Sequence, residues 1–357
     1  MSSDDTIARR PGRAGHKRPR PTLKDVAKAA SVSVQTVSNV VNGRYEQMTP
    51  DTRARVEQAM ADLAYHLNSS ARGLRSTRTS TLAFLMLDES AHFLADPMST
   101  RILAGIGDIV REHGFGLLIE SGVPGTSTQQ LLAPLHQQRA DGALLLLSGA
   151  PAERRAIVDE ALALGVPCVL LEEEQEGSPV TSVMTANRQG ARQLAAHLVN
   201  AGHRRIAFVG AQGRWPMVEQ RLVGYREALV AGGIELDPAL EVFEGAWDAL
   251  KAPSTASKLL ALPERPTAIM CGSDLLALGV LQGLRLRGMR VPEDVAVTGF
   301  NDFDFAAFVD PPLTTVRTPG YLIGQLGAQR LLSMIEGRQI DAEHLVLTPE
   351  LVVRGST

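Results

Sequence analysis

Residues 33–42 read SVQTVSNVVN. Val37, Val40 and Val41 recur at helical spacing, and Val34, Gln35, Ser38, Asn39 and Asn42 fall on the other side of the same helix. A row of short and amide side chains lets a helix axis come close to the major groove of DNA. There Gln35 and Asn39 can each make a bidentate contact to adenine, and Val34 can meet a thymine methyl group. Ser33, Thr36 and the N–H groups of the first turn suit phosphate oxygens. Taken alone, the helix fits a solvated surface better. Its neighbours decide in favour of DNA.

A second set of polar residues stands where apolar runs end. Glu172 follows PCVLL, Ser273 and Asp274 follow TAIMCG, and Asn301 follows DVAVTGF. Arg221 lies in the helix-like stretch QRLVGY, and Trp247 in the polar stretch EGAWDAL. Ligands of parallel α/β sheets bind beyond the carboxyl ends of the strands, which is where these residues fall. On the residues alone, capping of the next helix is the better explanation of Ser273 and Asp274. The sequence holds no metal-ligand spacing, no glycine-rich phosphate loop and no nucleophile elbow. His113, His197 and His203 fall near helix ends, where capping or solvation is the ordinary role. The expectation is a binding protein with no enzymatic activity, metal or cofactor.

The elements around the first helix make it part of a helix-turn-helix. TLKDVAKAA opens with Thr22 as N-cap and Asp25 at the capping-box position. Ser33 caps the next helix, which Gly43 ends, and Thr49-Pro50 starts a third with an apolar face of Val56, Met60 and Leu63. Three short helices, two of them joined by a tight turn, predict a DNA-binding head over 22–66. Residues 1–21 are basic, with little to bury, and read as a disordered arm.

Charge separates the chain in the same way. Residues 1–78 hold 14 Lys and Arg against 7 Asp and Glu, a net of +7, while the remainder carries a net of −10. A basic head on an acidic body is expected when only the head meets a polyanion. Cys168 and Cys271 lie in separate apolar runs, which suits a reducing cytoplasm. No secretory leader and no apolar run of about 20 residues is present, so neither export nor a membrane span is expected.

From Thr81 onward, short apolar runs such as TLAFLML, GALLLLS, RIAFVG and TAIMCG alternate with helical stretches. Strands buried on both faces and joined by helices predict parallel sheets in a doubly wound α/β core, with two lobes.

TLKDVAKAASVSVQTVSNVVNG, followed by TPDTRARVEQAMADLAY, resembles the head of the LacI/GalR (lactose repressor) family of bacterial transcription regulators. The resemblance continues through GHRRIAFVG, QRLVGYREAL, SDLLALGVLQGLRLRGMRVPEDVAVTGFND and DPPLTTV. It implies a helix-turn-helix head, a hinge helix over 67–79, and a core like a type I periplasmic binding protein. One lobe would span about 80–183 and 320–342, the other about 184–319 and 343–357. It further implies a homodimer on a palindromic operator in double-stranded DNA, with a small-molecule effector in the cleft. The ending LTPELVVRGST carries no leucine heptads, so a dimer rather than a tetramer is expected.

By the same resemblance, Leu74 matches a hinge leucine that wedges into the minor groove, with Asn68 and Ala71 as neighbouring contacts. A hinge of poor intrinsic helicity then folds on DNA. Arg221 matches an arginine that binds ligand hydroxyls or carboxylates. Glu172 matches an aspartate near the ligand, and Asn301 an acidic contact. Ser273, beside Asp274, stands where asparagine is usual. Trp247 matches an aromatic that packs on a sugar face, so a sugar is the expected effector; Arg221 leaves room for an acidic sugar or a purine.

The chain also departs from the family pattern. Asn39 stands in place of the usual arginine, and Ser31 in place of glycine. The loop GRYEQMTP is one residue longer, and YHLNS lacks the common proline. The expected function is a ligand-responsive repressor of carbohydrate genes. The rivals are a purine-type corepressor system and an exported solute-binding protein.

Overall fold

A computed structural model describes residues 21–41, 44–46, 48–63, 65, 78–88, 93–123, 125–211, 215–244, 252–338 and 344–357. The arm 1–20, Asn42, Asn68, Ala71, Leu74 and Trp247 lie outside the described residues. The chain divides into two compact units, one ending at Thr77 and the other beginning at Arg78.

The first unit is three helices, α1 (Leu23–Ala30), α2 (Val34–Val41) and α3 (Pro50–Asp62). Thr22 caps α1 in a complete capping box with Asp25. Ser33 Oγ accepts from Thr36 N at 3.0 Å, and Thr49 caps α3 ahead of Pro50. Each cap satisfies N–H groups that the helix leaves open. Val26, Val37 and Val56, one from each helix, are fully buried against one another with Ala27, Ala30, Val40 and Ala59. Ser31 ends α1 in the left-handed conformation at φ 54°, the position where glycine was the expected residue.

The second unit holds two parallel sheets. The first has six strands in the order β11-β5-β4-β3-β1-β2: β1 (Thr81–Leu87), β2 (Gly116–Gly122), β3 (Gly142–Leu147), β4 (Cys168–Leu171), β5 (Thr181–Thr185) and β11 (His344–Leu347). The second sheet is β7-β6-β8-β9: β6 (Ile206–Ala211), β7 (Glu241–Glu244), β8 (Ala268–Cys271) and β9 (Ala296–Thr298). Strands β3, β4, β6 and β8 are buried throughout, because helices cover both faces. A short antiparallel pair, β10 (Thr315–Arg317) and β12 (Glu350–Val352), lies beside the second sheet.

One boundary differs from expectation. Strand β11 pairs in parallel with β5, Leu345 opposite Val183, so residues 344–347 belong to the first lobe. The third crossing between the lobes therefore falls between Leu347 and Glu350 rather than at 343. The sequence HLVL is only half buried on an edge, and edge strands carry a weak apolar signature.

Two helices of the first lobe, α4 (Pro97–Glu112) and α12 (Gly320–Ile335), pack almost backbone to backbone. A Cβ on Gly105 would lie 2.0 Å from the Tyr321 carbonyl, and one on Gly324 at 2.0 Å from that of Ile102. Glycine is required at both crossings. This contact fixes α4, whose N-terminal turns face the cleft. In the second lobe, α8 (Asn187–Asn200), α9 (Pro216–Ala231) and α11 (Asp274–Arg285) flank the sheet.

Candidate functional site

In the head, α2 presents Val34 and Gln35 to solvent, with Asn39 half buried beside them. Gln35 Nε2 donates to Asn39 Oδ1 at 3.1 Å, and the hydroxyls of Ser33 and Thr36 bond at 2.9 Å. Ser38 is a correction: it is buried. At 100° per residue it lies roughly 60° from both Gln35 and Val41, between the polar row and the core arc. Thr22 holds its cap, its hydroxyl 2.7 Å from Asp25 Oδ2. Arg44, Arg53 and Arg55 are exposed, and the Arg53 guanidinium lies 4.0 Å from the Tyr45 ring centroid.

In the core, the carboxyl ends of both sheets face one cleft. Glu172, Arg221, Ser273 and Asn301 line it. Arg221, on the second turn of α9, is only 2 % exposed. Its Nε donates to Asn187 Oδ1 at 2.9 Å, Nη1 to the Gly272 carbonyl at 2.6 Å, and Nη2 to Asn301 Oδ1 at 3.2 Å. Its guanidinium carbon lies 3.9 Å from the Phe300 ring centroid. Three of five N–H groups are engaged by protein acceptors, leaving donors for a ligand. Burial lowers its pKa to about 10, opposed by the nearby carboxylates of Glu172, Asp274 and Asp96.

Glu172 supports this arrangement from the first lobe. Its carboxylate accepts from Thr185 N (3.2 Å), Thr185 Oγ1 (2.8 Å) and Asn187 Nδ2 (3.0 Å). Glu172 at φ 59° and Asn301 at φ 110° are both left-handed without being glycine, a conformation that persists where surrounding bonds impose it. Ser273 is the N-cap of α11, accepting from Leu276 N at 3.2 Å. Asp274 turns away from the cavity: it accepts from Thr315 Oγ1 at 2.6 Å and Phe303 N at 2.7 Å. Burial raises its pKa to about 6.

Several cleft residues were not singled out in the sequence. Asp96 caps α4 and lines the cavity with Ser99 and Ile102, its pKa raised mainly by burial. Asn187 bridges Glu172 and Arg221. Trp215, directly before α9, lines the cavity wall together with a second aromatic residue, Phe303. Trp215, Met217 and Phe303 of the second lobe join Met98, Ile102, Leu146 and Leu171 of the first in one apolar cluster. The enclosed space is about 30 Å³, room for one or two waters. Anything larger enters only if the lobes part or these side chains shift. Among the described residues no group of His, Cys, Asp and Glu is placed to hold a metal.

Comparison with known proteins settles the family. Residues 22–68 match the model of bacterial regulatory proteins of the lacI family, and residues 195–357 that of a periplasmic binding protein-like domain. The HTH-type transcriptional regulator CelR of Thermobifida fusca is 37% identical over 346 residues, 95% of this chain and 99% of CelR. The chain belongs to the LacI family. The LacI-family repressor CytR of Escherichia coli K12 is 32% identical over 337 residues, 94% of this chain and 96% of CytR. Among solved structures, the CelR–cellobiose complex is similar at 35% identity and TM-score 0.71, covering 95% of this chain and 100% of that one. The lac repressor dimer bound to operator and the anti-inducer ONPF is similar at 28% identity and TM-score 0.81, covering 95% and 99%. The three-helix head is thus the DNA-binding domain of a LacI-family transcription regulator. No helix among the described residues is long and apolar enough to cross a membrane.

Proposed function

We propose that this chain is a cytoplasmic, homodimeric repressor of carbohydrate-utilisation genes, released from a palindromic operator by a neutral sugar, with no enzymatic activity. The observation that carries the ligand class is the charge around Arg221. Glu172, Asp274 and Asp96 all act electrostatically on that one guanidinium. An anionic ligand would meet Arg221 already balanced by carboxylates, whereas sugar hydroxyls both accept from its remaining N–H groups and donate to acid oxygens. The Trp215 ring supplies the apolar wall that a pyranose face packs against. That CelR is solved with cellobiose supports the same class.

Ligand and DNA would then affect one another through linkage, each favouring a different arrangement of the lobes. A thermal-shift screen of the purified chain with cellobiose, other neutral sugars, sugar acids and purine bases tests the proposal. A neutral sugar is expected to raise the melting temperature, since a ligand at 100 times its Kd adds about 2.7 kcal/mol. Stabilisation by sugar acids or purine bases alone would overturn it.

A further inference from the structure

Arg101 sits on α4, in the same two turns that bring Ser99 and Ile102 to the cavity wall. Its guanidinium reaches across to the second lobe. Nη1 donates to the Asn301 carbonyl at 3.0 Å, and Nη2 to the Asp302 carbonyl at 2.9 Å and to Asp304 Oδ1 at 2.8 Å. It also lies 5.2 Å from the Phe303 ring centroid. Four consecutive residues of one lobe are held by a single side chain of the other.

The segment that receives Arg101 is rigid from its own side. Asn301 N donates to the Val316 carbonyl at 2.8 Å, and Phe303 N to Asp274 Oδ2 at 2.7 Å. The Asp302 carboxylate accepts from Arg317 Nε at 2.8 Å and Arg354 Nη2 at 2.6 Å. Asp302, like Asn301, is left-handed at φ 50°. Within Asn301 the two directions meet: its side chain accepts from Arg221 and its carbonyl from Arg101.

We infer that Arg101 is a positioning residue that ties the state of the cleft to the closure of the two lobes. The apolar cluster around Trp215 and Phe303 also joins the lobes, but burial is non-directional and tolerates sliding. Hydrogen bonds to two adjacent carbonyls and a carboxylate fix one angle. Any rotation of the lobes must break them together. A ligand that shifts Asn301 and Arg221 acts on the other end of the same residue. This rests on the cleft being the effector site, but its test needs no effector.

Cys168 and Cys271 are buried, so spin labels attach selectively at introduced cysteines. The exposed positions Glu112 and Glu235 carry E112C and E235C, one on each lobe. Labelled chains are diluted into unlabelled protein, and the lobe-to-lobe distance is read by pulsed electron paramagnetic resonance without any small molecule. The parent protein is expected to give one narrow distribution. Arg101→Met should add a population lengthened by several ångströms, with smaller additions for Arg101→Lys and Asp304→Ala. Affinity of Arg101→Met for an operator selected from random DNA should differ from the parent at least about fivefold. A folded Arg101→Met with the parent's distance distribution overturns the inference, as does an unchanged operator affinity. If Arg101→Met fails to fold, an unchanged distribution in both Arg101→Lys and Asp304→Ala overturns it. Failure of the sugar screen leaves both readouts standing.

Discussion

Gln35 and Asn39 are one hydrogen-bonded pair, the Gln35 amide donating to Asn39 Oδ1 across one turn of α2 at 3.1 Å. The bond leaves the Asn39 amide nitrogen as a donor and Gln35 Oε1 as an acceptor. We propose that the two side chains read the major groove as one donor–acceptor unit. Gln35→Ala and Asn39→Ala should each weaken specific operator binding, and the double variant should lose less than their sum by about 1 kcal/mol. Gel shifts at fixed salt on a selected operator measure this. Strict additivity would show that the residues read independently. Asn39→Arg should move preference toward guanine rather than weaken all DNA alike.

Ser31 holds a left-handed turn that closes α1. A Cβ there costs about 1 kcal/mol relative to glycine. Ser31→Gly is expected to stabilise the head by about that much despite its looser unfolded chain. The melting transition of the head should rise, and a fall would mean that the serine hydroxyl outweighs the backbone strain.

Asp274 makes stability depend on pH. Its carboxyl is raised by burial to about 6, against about 3.9 when exposed. Between these values the folded chain keeps a proton that the unfolded chain has released. The group's contribution is full below about pH 4 and lost as pH rises through 6, a swing of about 3 kcal/mol. Asp274→Asn removes the titration. Parent-minus-variant stability from urea unfolding should therefore be larger at pH 4 than at pH 7.5. A difference independent of pH contradicts the assignment.

On the proposed function, Trp215 and Arg221 divide the work of ligand binding. Trp215→Ala should weaken sugar binding about tenfold, near 1.4 kcal/mol, with Trp215→Phe much closer to the parent. Arg221→Lys should abolish the sugar-dependent melting shift. It should also lower stability by about 3 kcal/mol, because Asn187, Asn301 and the Gly272 carbonyl lose a shared fork-shaped donor. Calorimetric titration with the stabilising sugar separates the two effects.

The architecture was legible because its signals are local. Thr22, Ser33 and Thr49 are helix caps in sequence and in structure, and the uniformly buried strands read as apolar runs. Strand β5, TSVMT, was invisible: it is buried, yet carries small polar side chains that bond across the sheet and into the cleft. Missing β5 meant missing Asn187 directly after it. Ser38 was misplaced because periodicity ignores how far a core arc extends on a short helix. Trp215 went unnoticed because only the tertiary fold brings the start of α9 against α4. Arg101 had no signal at all, since its partners lie 200 residues or more away.

The proposed regulation is control of DNA binding in the head by a neutral sugar in the cleft. Its most direct test is an operator gel shift of the full chain titrated with cellobiose and any sugar that stabilises it, with Arg221→Lys alongside. Operator is expected to be released from the parent protein at sugar concentrations near the thermal-shift midpoint, with no release from Arg221→Lys. Sugar binding that leaves operator affinity unchanged, or equal release from Arg221→Lys, would contradict it.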